Sequence, residues 1–336
     1  MGKIWDALDK SIAAKPVIPR PVSQNLYPSE ARAKVGQVIY GKCMRASFLR
    51  IKGAGNEEVT NDAGEVFVPG EEEFRPTTLW IFRSGNIYED TIIDEARSAG
   101  ILAQGHARFK ILVAPGAYVS GEIDAIFRDP ANECVGIEIK SVHGHFAESS
   151  VIGTPASRKR GHKGSPKVEH LMQTAIYTWH FRDQLKCFYL LYIMRDKCLR
   201  AEFKVEVKAD AEGRRIIYVD GERWSKFTLD DVFDSYKGLA SAVKNNVFPP
   251  RDYDLVFDDL TMVAKSAAGS LSKTDQAAWD KYWARQKELN AGKKVRGLKR
   301  PEVGDWQCSY CPFKDVCYDP TGKPYEAQAN PKVDQP

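Results

Sequence analysis

The sequence predicts an α/β fold with a mixed central sheet flanked by helices. Three runs rich in Val, Ile, Phe and Tyr, at 107–114, 117–127 and 134–142, are separated only by Pro115-Gly116 and by Asp129-Pro130-Ala131-Asn132. Runs of that kind bounded by turn residues read as a meander of consecutive strands. Helical patterns stand on either side, at 79–98 and 168–181, and more strand-like runs follow at 187–194, 200–208 and 215–219. Helix, strands, helix, strands indicates an α/β core with a mixed sheet.

Residues 1–40, with Pro16, Pro19, Pro21 and Pro28, read as an extended arm leading into a helix over 29–51. The stretch 53–73 is rich in Gly, Asn and Glu and is expected to be a hairpin or loop. In 79–98, Ile81, Ile87, Ile92, Ile93 and Ala96 recur at the spacing of a helix with one buried face. A Gly/Ser/Pro-containing loop at 153–166 precedes the helix 168–181. Further on, 227–247 is a helical pattern ended by Pro249-Pro250, and 274–289 is a polar, charged helix. The main domain is expected over 41–320, with a cysteine-rich close at 306–319 and a disordered Pro/Gln/Asn tail at 321–336.

A chain of 336 residues that is 43% hydrophobic and 28% charged has the composition of an ordinary soluble protein with a sizeable core. No apolar run approaches the roughly 18 residues that span a bilayer. The N-terminus mixes Lys and Asp among its apolar residues, unlike a secretory signal. A cytoplasmic protein without membrane engagement is expected.

The net charge of +4 identifies no partner, but its distribution points to one. Arg158, Lys159, Arg160, His162, Lys163 and Lys167 form one basic stretch, and Lys293, Lys294, Arg296, Lys299 and Arg300 form another. Either alone reads as a solvated loop. The pair fits a protein that neutralises phosphates. Seven cysteines without a signal peptide argue against a disulfide framework, and clustered cysteines in a reducing compartment more often hold a metal.

Gly121-Glu122-Ile123-Asp124 and Gly136-Ile137-Glu138-Ile139-Lys140 fall on adjacent predicted strands joined by a tight turn. Alternation puts Glu138 and Lys140 on one side and Ile137 and Ile139 on the other, and Asp124 can approach Glu138 from the neighbouring strand. Two carboxylates in an apolar sheet repel each other, and a hard divalent cation with oxygen ligands relieves that repulsion. Such a cation activates water and screens charge building on a phosphate. Lys140 is placed to orient or deprotonate the attacking water, or to stabilise the transition state.

Glu-x-Lys alone arises about once by chance in a chain of this size. Glu202-Phe203-Lys204 and Glu206-Val207-Lys208 are such decoys, on a strand with the alternation of a solvated face and no Gly-x-x-Asp strand before it. Two flanking motifs add weight to Asp124, Glu138 and Lys140. Gln173 and Tyr177 are four apart on a predicted helix and share its face. Gly85-Asn86-Ile87-Tyr88-Glu89 puts a carboxylate on the helix before the meander.

The ordered set Gly-x-x-x-Glu, Gly-x-x-Asp, Glu-x-Lys and Gln-x-x-x-Tyr, from Gly85 to Tyr177, resembles the RecB-like branch of the PD-(D/E)XK nuclease superfamily. The resemblance implies a restriction-endonuclease-like core. It also implies Mg²⁺ or Mn²⁺ held by Asp124, Glu138 and the Ile139 carbonyl, Lys140 as the catalytic lysine, and Gln173 and Tyr177 as the branch's characteristic pair. Glu89, placed to complete the metal shell, stands where many RecB-like members carry a histidine, and a glutamate there is more like phage lambda-type exonucleases.

Cys308, Cys311 and Cys317 put three thiols within ten residues, and Cys43 lies far upstream. Four thiolates suit a four-iron cluster as well as they suit Zn²⁺. One distant N-terminal cysteine with a C-terminal trio is similar to the iron-sulphur staple of AddB-type and CRISPR-associated RecB-like nucleases, which implies a [4Fe-4S] cluster on Cys43, Cys308, Cys311 and Cys317. Cys134, Cys187 and Cys198 lie in or beside apolar strands and are expected in the core.

The resulting expectation is a metal-dependent deoxyribonuclease, an exonuclease acting on ends or single strands in recombination, repair or end processing, with DNA and repair proteins as partners. Arg158, Lys159, Arg160 and Lys163 would contact the strand, and Trp179, Tyr310 or Phe313 would stack bases. The alternatives are a structure- or sequence-specific endonuclease on the same fold and a non-catalytic DNA-binding or assembly protein.

Overall fold

The computed structural model describes residues 8, 10–12, 14, 25–70, 76–154, 164–295, 299–319 and 323–324. The chain divides into two compact units, Met1–Glu57 with Val68–Pro249 and Glu58–Phe67 with Pro250–Pro336.

In chain order the larger unit begins with strands β1 (Arg32–Val35) and β2 (Val38–Gly41) and helix α1 (Met44–Ala54). The smaller unit takes the short hairpin β3 (Val59–Thr60) and β4 (Val66–Phe67). The larger unit resumes with α2 (Pro76–Ser98), β5 (Leu102–Ala114), β6 (Ala117–Arg128), β7 (Cys134–Val142), the one-turn α3 (Gly144–Ala147) and α4 (Val168–His180). It closes with β8 (Phe188–Met194), β9 (Arg200–Ala209), β10 (Arg215–Val219), β11 (Glu222–Arg223) and α5 (Leu229–Asn245).

Among the described residues, β5 to β11 form a seven-stranded sheet whose spatial order follows the chain order. All neighbours are antiparallel except β7 and β8, which run parallel, so the sheet is mixed, as the sequence predicts. Strands of like direction need a crossover, and α4 lies within the connection that supplies it.

Two helices cover the part of the sheet that carries the motifs. From α2, Ile93 and Ala96 pack on Ala125, Phe127, Val135, Ile137 and Ile139. From α4, Tyr177 packs its ring on Phe188, with centroids 6.1 Å apart. Phe188, Leu190 and Tyr192 are the register partners of Gly136, Glu138 and Lys140. Side chains alternate across a strand, so β7 turns Ile137 and Ile139 toward α2 and Glu138 and Lys140 toward the α4 layer.

The helix expected over 29–51 is half a hairpin. β1 and β2 pair from Arg32↔Gly41 to Val35↔Val38, and α1 starts only at Met44. Gly36 takes φ +59° in the two-residue turn at no Cβ cost, and the β-branched Val35, Val38 and Ile39 around it favour strands. Before the hairpin, Leu26 bridges Val119 beside the half of β6 that β7 leaves unpaired, so this part of the extended arm docks on the sheet.

The smaller unit contains α6 (Asp259–Ala267), α7 (Lys273–Asn290) and two one-turn helices, α8 (Trp306–Ser309) and α9 (Lys314–Cys317). Phe257, Met262, Trp279 and Val303 form its core. α6 lies outside the helices that the sequence predicts. It has nine residues, buries one of them, Met262, and is set by Asp258, whose side chain accepts the Thr261 amide. No helix among the described residues is long and apolar enough to cross a membrane.

Candidate active site

The ladder between β6 and β7 runs from Arg128↔Cys134 to Ala125↔Ile137 and stops there. At the next position the Asp124 carboxylate takes over, accepting the Ile139 amide on Oδ2 at 2.6 Å. Asp124 and Glu138 therefore meet where the two strands part. Glu138 is 1% exposed, and both its oxygens are buried without a hydrogen bond of proper geometry. Lys140 Nζ stands 2.5 Å from Oε1 as an ion pair.

Glu89 joins from α2, one turn before Ile93. The electrostatics show the carboxylates sharing one field. Burial, then Asp124, pushes Glu138 up to about 8, with Glu89 adding to the rise and Lys140 opposing it. Burial and then Asp124 push Glu89 up to about 7. Burial also raises Asp124, against Lys140 and the Ile139 amide. For Lys140 burial works downward, but Glu138, Asp124 and Glu89 outweigh it and hold the ammonium above its ordinary value.

The motif pair on α4 is also drawn in. Gln173 Nε2 donates to the Tyr177 hydroxyl at 2.6 Å, four residues on. Tyr177 is 2% exposed, and burial followed by the Glu138 charge keeps its phenol protonated far above the usual range. Phe109 props it edge-on at 5.2 Å between ring centroids. Phe109 in turn lies over Gly121, where an added Cβ would meet the ring at 3.0 Å and Pro28 at 3.1 Å.

Three residues that the motif reading missed border the site. His106 lies on β5 opposite Asp124, between the pairs Gly105↔Ala125 and Ala107↔Ile123, with φ +48°. Its Nδ1 is 3.3 Å from Glu122 and 3.9 Å from Glu89. Tyr192 on β8 is the register partner of Lys140. Its hydroxyl accepts the Lys167 amide at 3.1 Å and lies 2.9 Å from His170 Nδ1. The available sequence signal for His170 is its spacing, since 170, 173 and 177 form one stripe along α4. No comparable signal marks His106 or Tyr192.

The decoys behave as a solvated face, with Glu206 between Lys204 at 3.3 Å and Lys208 at 3.4 Å on β9. Arg158, Lys159, Arg160 and Lys163 lie outside the described residues, as do His162 and Arg296. In the second basic cluster Lys293 and Lys294 are exposed, while Lys299 pairs with Glu302 and Arg300 with Asp259. Of the aromatic residues expected to stack bases, Tyr310 is 82% exposed, but Phe313 is buried and Trp179 carries the Arg182 guanidinium at 4.3 Å.

Cys308, Cys311 and Cys317 lie on the short helices α8 and α9 and the turn between them, with Cys308 buried and its Sγ 3.8 Å from the Tyr318 hydroxyl. Cys43 is the N-cap of α1 in the larger unit. Cys187 is buried and Cys134 half-buried; Cys198, expected in the core, is exposed in a turn at φ +52°. Among the described residues, no three His, Cys, Asp or Glu side chains are grouped as a ready metal cage. In the larger unit the physical reason is visible, because Asp124 is drawn to the Ile139 amide and Glu138 to Lys140.

No protein-family model matches the sequence, and no curated protein matches it. The crystal structure of SSO0001 is one solved structure to which the chain is similar, with 16% identity, 96% of this chain and 98% of that one covered, and a TM-score of 0.39.

Proposed function

We propose that the chain is a metal-dependent DNA nuclease of the PD-(D/E)XK kind, its sheet serving as a restriction-endonuclease-like core. One observation carries this reading. Glu138 is a buried carboxylate whose Oε2 has no partner and whose Oε1 has only the Lys140 ion pair, in the field of Asp124 and Glu89.

A divalent cation fits these residues. It would satisfy the unpartnered Oε2 of Glu138 and cancel the repulsion that contributes to the raised pKa values of Glu89 and Glu138. Glu89, Asp124, Glu138 and the Ile139 carbonyl would hold Mg²⁺ or Mn²⁺, which when bound activates water and offsets charge on a phosphate. Lys140 contributes an ammonium with three donors to the same phosphate. Gln173 and Tyr177 are bonded to each other on α4, with Tyr177 in the field of Glu138, and would limit how Lys140 and the substrate strand sit. Those roles, and action on DNA ends or single strands in recombination, repair or end processing, follow from the family resemblance.

The thiols Cys43, Cys308, Cys311 and Cys317 are the donors for a [4Fe-4S] cluster, with Zn²⁺ as the other occupant. Three soft donors within ten residues of sequence, on α8, α9 and their turn, are of the type that suits either one. A bound cluster would fasten the chain, with hydrolysis left to the carboxylates.

The test is incubation of end-labelled linear and circular DNA with Mg²⁺, Mn²⁺ or a chelator, beside Lys140→Ala. The expected result is linear DNA shortened only with metal, circular DNA spared, and a folded but inactive variant. Cutting of circles would make the enzyme an endonuclease. Equal degradation by the variant would remove the activity from this site.

A further inference from the structure

We propose that His170 binds a backbone phosphate oxygen of the substrate strand through Nε2–H, as a neutral donor of fixed tautomer beside Lys140. The inference rests on the nuclease reading and adds to it a contact outside the four motifs.

The tautomer follows from Tyr192. That side chain is 2% exposed, and burial above all holds its hydroxyl protonated, so the hydroxyl proton requires an acceptor. The hydroxyl already accepts the Lys167 amide at 3.1 Å. Its proton then points to His170 Nδ1, 2.9 Å away, and among the described residues no other acceptor is in reach. An imidazole that accepts on Nδ1 carries its proton on Nε2.

The ring is also neutral. Burial holds His170 well below the ordinary imidazole range, and the charges of Lys140 and Lys167 lower it further. Its main chain is anchored as well, since the Thr174 hydroxyl donates to the His170 carbonyl at 2.8 Å. Among the described residues Nε2–H makes no hydrogen bond, although the ring is half-buried and within the field of Lys140. A fixed donor without an acceptor among the described residues, beside the lysine that would face the reacting phosphate, suits an anionic phosphate oxygen. A neutral donor achieves this without adding a third positive charge next to Lys140 and Lys167.

The experiment compares wild type, His170→Phe, His170→Gln and Tyr192→Phe. Glutamine places an amide N–H near the position of Nε2, phenylalanine has no donor, and Tyr192→Phe frees the tautomer. Binding of a fluorescein-labelled oligonucleotide in Ca²⁺ is followed by anisotropy over a salt series, with melting temperatures and Mg²⁺-dependent cleavage in parallel.

We expect His170→Phe to weaken binding about tenfold, the scale of one hydrogen bond to a charged group. His170→Gln should stay within about threefold of wild type, and Tyr192→Phe should fall between. The slope of log affinity against log salt should be unchanged in every variant, because no cation is lost. Three results would overturn the inference: wild-type affinity in His170→Phe, a folded His170→Gln as weak as His170→Phe, or a slope reduced by about one unit. Failure of the nuclease reading is separate, appearing as a wild type that cuts no DNA with any metal.

Discussion

Asp124 accepts the Ile139 amide at the point where the pairing of β6 and β7 ends, so one carboxylate both closes the sheet and faces Glu138. The two roles separate by mutation. Asp124→Asn keeps an acceptor for the Ile139 N–H and removes a charge that burial penalises. Asp124→Ala leaves that N–H without a partner, a loss on the order of 1–3 kcal/mol. In denaturant titrations without metal, Asn is expected to be at least as stable as wild type and Ala less stable than Asn by about that amount. Neither should degrade DNA.

The raised carboxyls predict how stability depends on pH. Glu138 and Glu89 shift from 4.5 to about 8 and about 7 in the folded chain. The folded state therefore binds more protons than the unfolded state between those limits, and stability falls as pH rises through the window. Divalent cations bind the ionised form, so the rise in Tm on adding Mg²⁺ or Mn²⁺ should be larger at pH 8 than at pH 6. Thermal melts of wild type and Glu138→Gln across that range test this. The variant should show a flatter metal-free profile and a smaller metal-dependent rise.

The meander and the motif carboxylates were legible because their signals are local. Period-two runs bounded by Pro-Gly and Asp-Pro turns fix β5 to β7, and alternation alone separates Glu138 and Lys140 from Ile137 and Ile139. The β1–β2 hairpin was not legible, because an apolar stretch around Gly36 reads equally well as part of a helix. His106 and Tyr192 escaped for another reason. Each borders the site through pairing across strands, His106 opposite Asp124 and Tyr192 opposite Lys140, and only the register reveals such neighbours.

The two motif glycines differ in what holds them. A Cβ on Gly85 would meet only Ser141 Oγ, at 3.6 Å, an ordinary contact. Gly85→Ala in the interior of α2 is therefore expected to stabilise the chain by about 0.5–1 kcal/mol. A Cβ on Gly121 would press on the Phe109 ring at 3.0 Å and Pro28 at 3.1 Å, and Phe109 supports Tyr177. Gly121→Ala is expected to destabilise by about 1–3 kcal/mol and to lower cleavage as well. Denaturant melts of both variants with parallel cleavage assays decide it, and equal effects would contradict the packing argument.

The cysteine proposal predicts a colour. Protein purified anaerobically should be brown with iron, sulphide and visible absorbance if thiolates hold a cluster, and colourless with bound zinc if they hold that metal instead. Cys311→Ser and Cys317→Ser each remove one half-buried thiol from the segment that carries Cys308. Each should bleach the protein and lower its melting temperature, because metal binding energy is then lost from folding. Cys198→Ser changes an exposed thiol in a turn and should alter neither property. Metal analysis beside the melts also separates this proposal from the carboxylate site. A chelator mild enough to spare the cluster should abolish cleavage while the colour remains, whereas loss of colour in Cys311→Ser should leave Lys140 and its neighbouring carboxylates in place.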